Sequence, residues 1–296
     1  MGVAAALTRA SWLAASMGCA TPPEAAAVLN ETERVVGRAA LSDQVVLLTN
    51  RPALVMIRPA SGGIQRVPIG GRSGARLWGL GEAGRALYSI ADFSDLVRLT
   101  VDASVVRVEQ VAQPSPRVGN LLDSATGMIA QHAVDEPGTP MVWELDASGR
   151  LSGMRAPRRV SLGLARAEES LLHLLSCSVP PRVVCWLPGS NELLMLDATG
   201  LERLATLESV DPVAPAALLA KPETRAIHDA IAVDDERVVV LFDGDGSAAA
   251  RIGEFGKDGS KIRELRSPVP VRMFVWADAR HITAIARSGH LIEVPR

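Results

Sequence analysis

The chain has 296 residues, 48% hydrophobic and 22% charged, with a formal net charge of −2. That balance supplies a sizeable core but no whole-molecule attraction to nucleic acid or anionic lipid, and 3% aromatic content argues against base-stacking platforms. No apolar run reaches the roughly 18 residues that a membrane-spanning helix needs.

Residues 1–23 differ from the rest. Met1 to Ala15 carry one charge, Arg9, and the chain then reads Ser16-Met17-Gly18-Cys19-Ala20-Thr21-Pro22-Pro23. A short apolar run, small residues, a cysteine and a Pro-rich stretch resemble a bacterial lipoprotein signal, although Ser16 stands where such signals usually carry Leu. The resemblance implies export, acylation at Cys19 and a periplasmic or outer-surface location. A cytoplasmic protein with a helical amino terminus is the alternative.

From residue 24 onward one pattern recurs. Arg34 opens a short apolar run, and so do Arg76, Arg117, Arg159, Arg225 and Arg272, mostly at the 40–45-residue spacing that, with about four strands per unit, marks a β-propeller. After Arg76 a turn is predicted at Glu82-Ala83-Gly84-Arg85, and a later one at Asp102-Ala103-Ser104. The cleanest unit follows Arg117. It predicts strands over Arg117–Leu122, Met128–Ala133, Pro140–Leu145 and Arg150–Met154, with turns at Asp123–Gly127 and Asp146–Gly149. Asp and Gly suit these turns because they tolerate positive φ and hydrogen-bond their own backbone.

In the next unit Cys177 and Cys185 flank Ser178-Val179-Pro180-Pro181-Arg182, a turn signal between two apolar runs. A hairpin centred on Pro181 would set the two thiols face to face, as a disulfide in an oxidising compartment or as buried thiols that never oxidise. The interval from Arg159 to Arg225 is stretched. Asn191–Leu196 and Leu201–Leu204 read as an extra hairpin, followed by a Pro/Ala-rich loop, giving an insertion around 188–222. Turn signals return at Lys257-Asp258-Gly259-Ser260 and Asp278-Ala279-Arg280-His281. After Arg272 only three strands fit, so residues between Glu24 and Glu33 are expected to add a fourth and close the ring, removing an exposed edge.

The expected fold is therefore all-β: one six-bladed propeller over residues 24–296, with a seventh blade from the insertion as the alternative. It resembles the six-bladed propellers of the NHL and TolB-like group, many of them exported bacterial proteins. The resemblance rests on repeat length and turn placement over about residues 34–296. It implies a fold and a habit of binding on one face, and no particular activity.

First strands of a propeller line its channel, so the six arginines are candidates for a ring that binds an anion or an acidic partner. The competing reading pairs each Arg with a carboxylate of a neighbouring turn, among them Asp43, Glu82, Asp123, Asp234 and Asp278, because six unpaired guanidiniums in a narrow ring repel. His132, His173, His228, His281 and His290 come from different units and make no metal set. Asp243-Gly244-Asp245-Gly246 lacks the distant Glu of a calcium loop, and Gly70–Gly74 lacks the Lys-Ser/Thr of a phosphate loop. A metal-dependent, lactonase-like channel site built from Asn120, Asp229, Asp123 and Glu82 is the enzymatic alternative. The expectation is a non-catalytic scaffold with no cofactor and no metal, an accessory subunit of an envelope assembly that binds a protein or a small anion.

Overall fold

A computed structural model describes residues 27–70, 76–92, 94–113, 118–124, 127–132, 142–154, 173–177, 183–187, 192–197, 200–206, 227–242 and 251–296. These form strands and no helix. The first sheet has β1 (Val35–Leu41), β2 (Gln44–Thr49), β3 (Ala53–Arg58) and β4 (Gly63–Pro68) in that order. The second has β5 (Leu77–Ala83), β6 (Ala86–Ala91), β7 (Asp95–Val101) and β8 (Val106–Ala112), and the third β9 (Val118–Ser124), β10 (Gly127–His132), β11 (Val142–Leu145) and β12 (Leu151–Met154). A single parallel bridge, Leu80 to Leu122, joins these two at their first strands. The fourth sheet is β13 (His173–Cys177), β14 (Val183–Leu187), β15 (Glu192–Asp197) and β16 (Gly200–Thr206). The fifth is β17 (Ile227–Ala232), β18 (Arg237–Phe242), β19 (Ile252–Gly256) and β20 (Lys261–Leu265). The last has three strands, β21 (Val271–Ala277), β22 (Ile282–Ala286) and β23 (Leu291–Val294).

Strand composition follows position in the sheet. The central strands β2 and β3 are near-continuous apolar runs, buried along almost their whole length, because both their faces pack against neighbouring sheets. The outermost β4 and β20 turn polar residues to solvent. The core consequently lies between sheets. Ala39, Leu48 and Leu54 of the first pack on Leu80, Leu87 and Leu99 of the second, while Ile231, Val239 and Ile252 of the fifth pack on Phe274, Ile282 and Ala284 of the sixth. First strands approach closely: a Cβ on Gly37 of β1 would lie 2.6 Å from the Gly79 carbonyl carbon of β5.

Two sequence expectations need correction. The hairpin assigned to an insertion is β15–β16, the ordinary outer pair of the fourth sheet, in which Asp197 pairs with Gly200. Arg159, the expected start of that unit, lies outside the described residues, and the first described strand of the unit begins at His173.

The expected pairing of the chain ends is also not formed by the described residues, since 27–34 contain no strand and β23 pairs with β22 alone. Local hydrogen bonds explain this. Glu33 N donates to Asn30 O at 3.0 Å and Asn30 N donates back to Glu33 Oε2 at 3.2 Å, curling the segment into a turn. Just before it, Val28 N and Leu29 N both donate to Gly289 O, at 2.8 and 3.2 Å, in the turn between β22 and β23. Gly289 has φ +87, and a Cβ there would fall 1.8 Å from Leu29 O, so only glycine permits this contact. Val28 and Leu29 enter a core cluster with Val45, Leu47 and Val55 of the first sheet and Val275 and Ile285 of the last. The amino-terminal segment thus packs the first and last sheets together rather than adding a strand.

Candidate functional site

The alternating strand directions sort each loop to one of two faces. Starts of first and third strands lie on one, here called the front, and the turns after first and third strands lie on the back. Arg34 and Arg76 hold the same front position. Asn50 N donates to Arg34 O and Asp92 N to Arg76 O, while the Asn50 and Asp92 side chains accept from Arg34 N at 2.7 Å and Arg76 N at 3.0 Å. In the sixth sheet that place belongs to Pro270, whose carbonyl accepts from Arg287 N at 2.9 Å. Arg272 lies two residues further on, at a β-bulge between Val271 and Met273. Similar bulges interrupt β1, β13 and β17 near their starts, and His228, exposed, occupies the one in β17. Arg117, Arg159 and Arg225 lie outside the described residues.

Three of the five carboxylates expected to pair with these arginines, Glu82, Asp234 and Asp278, are engaged in their own turns. Glu82 accepts from Arg85 N within its own turn, and Asp278 accepts from Arg280 N at 2.7 Å and His281 N at 2.8 Å. Asp234 binds Glu236 N and Arg237 in the same way. Asp146 and Asp258 each hold a serine two residues on, and those serine hydrogen bonds draw their carboxyls below the usual range. Glu82, Asp146, Asp234, Asp258 and Asp278 on the back face therefore close their own turns. Among the described residues Arg34, Arg76 and Arg272 form no ion pair with a carboxylate.

Three buried charge clusters, none of them legible from the arginine spacing, join the first, fifth and sixth sheets. Arg38 on β1 grips Asp229 on β17 through both carboxylate oxygens, at 3.2 and 3.3 Å, with both side chains buried. Arg38 also donates to Phe274 O on β21, and Phe274 N donates to Asp229 Oδ2 at 2.8 Å. A guanidinium thus already serves as counter-charge to Asp229, which takes it out of the suggested metal-ligand set. Glu82 is likewise committed to its turn, and the side chains of Asn120 and Asp123 lie outside the described residues. The signal for this triad was a lone charge inside each of two apolar first strands, Val35–Leu41 and Ile227–Ala232.

The second cluster centres on Glu254 of β19, which is 0% exposed. Arg263 Nε donates to it at 2.7 Å, Arg237 lies 3.5 Å away, and Arg296, just beyond β23, also donates to it. Arg296 reaches Asp278 O at 2.7 Å as well, so the cluster ties the fifth sheet to the sixth. Burial alone would raise the Glu254 carboxyl, but hydrogen bonds from Arg296 and Arg263 outweigh it and hold the group below the ordinary glutamate range.

The third cluster centres on Glu33, also 0% exposed, which receives both guanidinium nitrogens of Arg66 from β4. Burial pushes this carboxyl up and the hydrogen bonds from Arg66, Thr49 and Asn30 bring it down further than that. Arg272 belongs to the same junction. It donates to the carbonyls of Glu33 and, at 3.4 Å, of Asn30. Desolvation and the neighbouring Arg34 charge lower the pKa of this half-buried guanidinium against the opposing pull of Glu33.

The cysteine pair has a definite register. Cys177 is opposite Val183 and Cys185 opposite Leu174, so the two are diagonal across β13–β14 rather than face to face. Cys19 and the turn around Pro181 lie outside the described residues. Among the described residues no group of three or more His, Cys, Asp or Glu is placed to hold a metal ion.

Sheets arranged in this order match solved structures. The Cps50 (Swd1) β-propeller domain of Myceliophteria thermophila superposes with a TM-score of 0.51 at 10% identity, over 89% of this chain and 83% of that one. The chain is a β-propeller. A luciferin-regenerating enzyme matches with a TM-score of 0.51 and 10% identity, over 90% of this chain and 93% of its own. A streptogramin B lyase matches with a TM-score of 0.50 and 10% identity, over 87% and 77%. At such identities the likeness is one of fold. No protein-family model matches this propeller, and no curated protein sequence matches it significantly.

Proposed function

We propose that this propeller is a non-catalytic binding module whose front face receives an acidic surface of a partner protein. The observation that carries the reading is the front-face charge. Arg34, Arg51, Arg76, Arg266, Arg272 and Arg287 start or end strands there, all exposed except the half-buried Arg272. The described carboxylates on that face, beyond the buried Glu33, are Glu31, Asp92, Asp95 and Glu192 at the start of β15, of which Asp92 caps Arg76 N and Asp95 accepts from Ser94 and Gln113. Among the described residues positive charge exceeds negative on that face, and such a surplus steers acidic partners to it in a molecule whose total charge is −2. Poly-L-glutamate should bind the wild type with an affinity that falls as salt rises. The double variant Arg34→Glu, Arg76→Glu should bind at least about tenfold more weakly. Salt-independent binding, or equal binding by the double variant, would sink the reading.

The setting we propose is the cell envelope, with the chain exported and held to a membrane through a lipid on Cys19, as an accessory subunit of a larger assembly. The composition of residues 1–23 supports this. Cys19→Ser should release the protein from the membrane fraction of its own cells, and an unlipidated, soluble wild type there would remove the anchor.

A further inference from the structure

The junction of the sixth and first sheets differs from the rest of the front face in how its cations are held. Two guanidiniums, those of Arg272 and Arg51, reach the segment Asn30–Arg34, which itself ends in a third arginine. Arg272 donates to Asn30 O and Glu33 O from β21. Arg51, in the turn between β2 and β3, donates from Nη2 to Thr32 Oγ1 at 3.0 Å. Arg34 itself is fixed at its backbone by Asn50 on both sides. Glu33, the buried carboxylate nearby, already has both oxygens on Arg66. Neutral backbone and hydroxyl oxygens therefore position Arg51 and Arg272 without cancelling their charge. Glu31, exposed, is the remaining carboxylate of the segment.

We infer that this junction is a binding site for one oxyanion group, a phosphate or a carboxylate, seated between Arg34, Arg51 and Arg272 where the chain start meets the last sheet. The inference rests on reading the front face as a binding surface and gives that surface its centre. Guanidinium forks suit an oxyanion by paired N–H donors, and partly desolvated, carbonyl-fixed ones lose little freedom on binding. Because Arg272 comes from the last sheet and Arg34 and Arg51 from the first, an occupant also bridges the two sheets. Binding therefore stabilises the folded state.

Inorganic phosphate and a hexaglutamate peptide distinguish a free anion from a partner's carboxylates. Each is titrated calorimetrically against wild type, Arg51→Gln, Arg272→Gln and, as a charge-matched control on the exposed flank of β7, Arg98→Gln. One phosphate or one peptide should bind per wild-type chain and raise the melting temperature. Arg51→Gln and Arg272→Gln should each weaken binding at least about tenfold and Arg98→Gln should leave it unchanged. Arg51→Gln keeps the test valid even if Arg272→Gln fails to fold, because Arg51 is exposed and makes one side-chain contact. Binding of several anions per chain, weakened alike by Arg98→Gln, overturns the site, as does absence of binding by both probes. If poly-L-glutamate still binds in that case, the front-face reading stands without its centre. A phosphate site lost in Arg51→Gln, with no binding of either glutamate polymer, upholds the site and removes the protein partner.

Discussion

The two junctions of the sixth sheet solve the same problem in different ways. Each places a fully buried glutamate, Glu254 on one side and Glu33 on the other, among arginines from both adjoining sheets. At Glu254 the arginines meet on the carboxylate itself: Arg263 and Arg296 hydrogen-bond it and Arg237 lies within ion-pair distance. At Glu33 only Arg66 takes the carboxylate, while Arg272 takes backbone oxygens and Arg34 takes neither. The first junction is closed around its charge, with Arg296 almost wholly enclosed at 4% exposure. The second keeps surplus positive charge at the surface. At the first junction the arginines gather on an acid, whereas at the second Arg272 is held by neutral backbone oxygens.

The largest effect should come from breaking the triad that both junctions share. Asp229→Ala removes the buried carboxylate that accepts two hydrogen bonds from Arg38 and one from Phe274 N, and it should cost about 3–5 kcal/mol in denaturant unfolding. A loss below about 1 kcal/mol would mean that the sheets are held by apolar packing alone.

A smaller and more discriminating effect separates the junctions. Glu254→Gln should cost about 1–3 kcal/mol, because the enclosed Arg296 loses its carboxylate and keeps only neutral acceptors, the Asp278 carbonyl among them. Glu33→Gln should cost less, since Arg66 is 39% exposed and turns to water, while Arg272 retains its carbonyl partners. Both carboxyls are depressed in the folded state, so their stabilisation is complete above the ordinary glutamate pKa of about 4 and is lost as pH falls through their lower folded values. Wild type should therefore lose stability on acidification below about pH 4, and Glu254→Gln should flatten that loss more than Glu33→Gln. Equal costs and equal acid profiles for the two variants would erase the distinction between a closed and an open junction.

The turns were read most accurately from the sequence. Asp146, Asp258 and Asp278 sit where expected, because an Asx turn is a local event decided by a few neighbouring residues. The arginine spacing was a less faithful guide. It aligned Arg34 and Arg76 with their strand starts, yet placed Arg272 two residues out of phase and Arg159 well before β13. Guanidinium side chains are long and tolerated at many surface positions, so their recurrence marks a unit without fixing its register.

The sequence by itself determined the all-β class, the four-strand unit and its turns, because strand burial and turn chemistry act over a handful of residues. It also carried the lone charges Arg38 and Asp229 inside apolar strands, an anomaly that announces a buried pair without naming the partners. Only the tertiary structure decided that those two residues meet from first strands so far apart in the chain. It alone showed that Val28 and Leu29 dock on Gly289 instead of extending a sheet, and that the acids close turns while Glu33 and Glu254 gather the arginines. Pairing across a ring depends on which sheets become neighbours, and that is set by the packing of whole sheets rather than by any local run of residues.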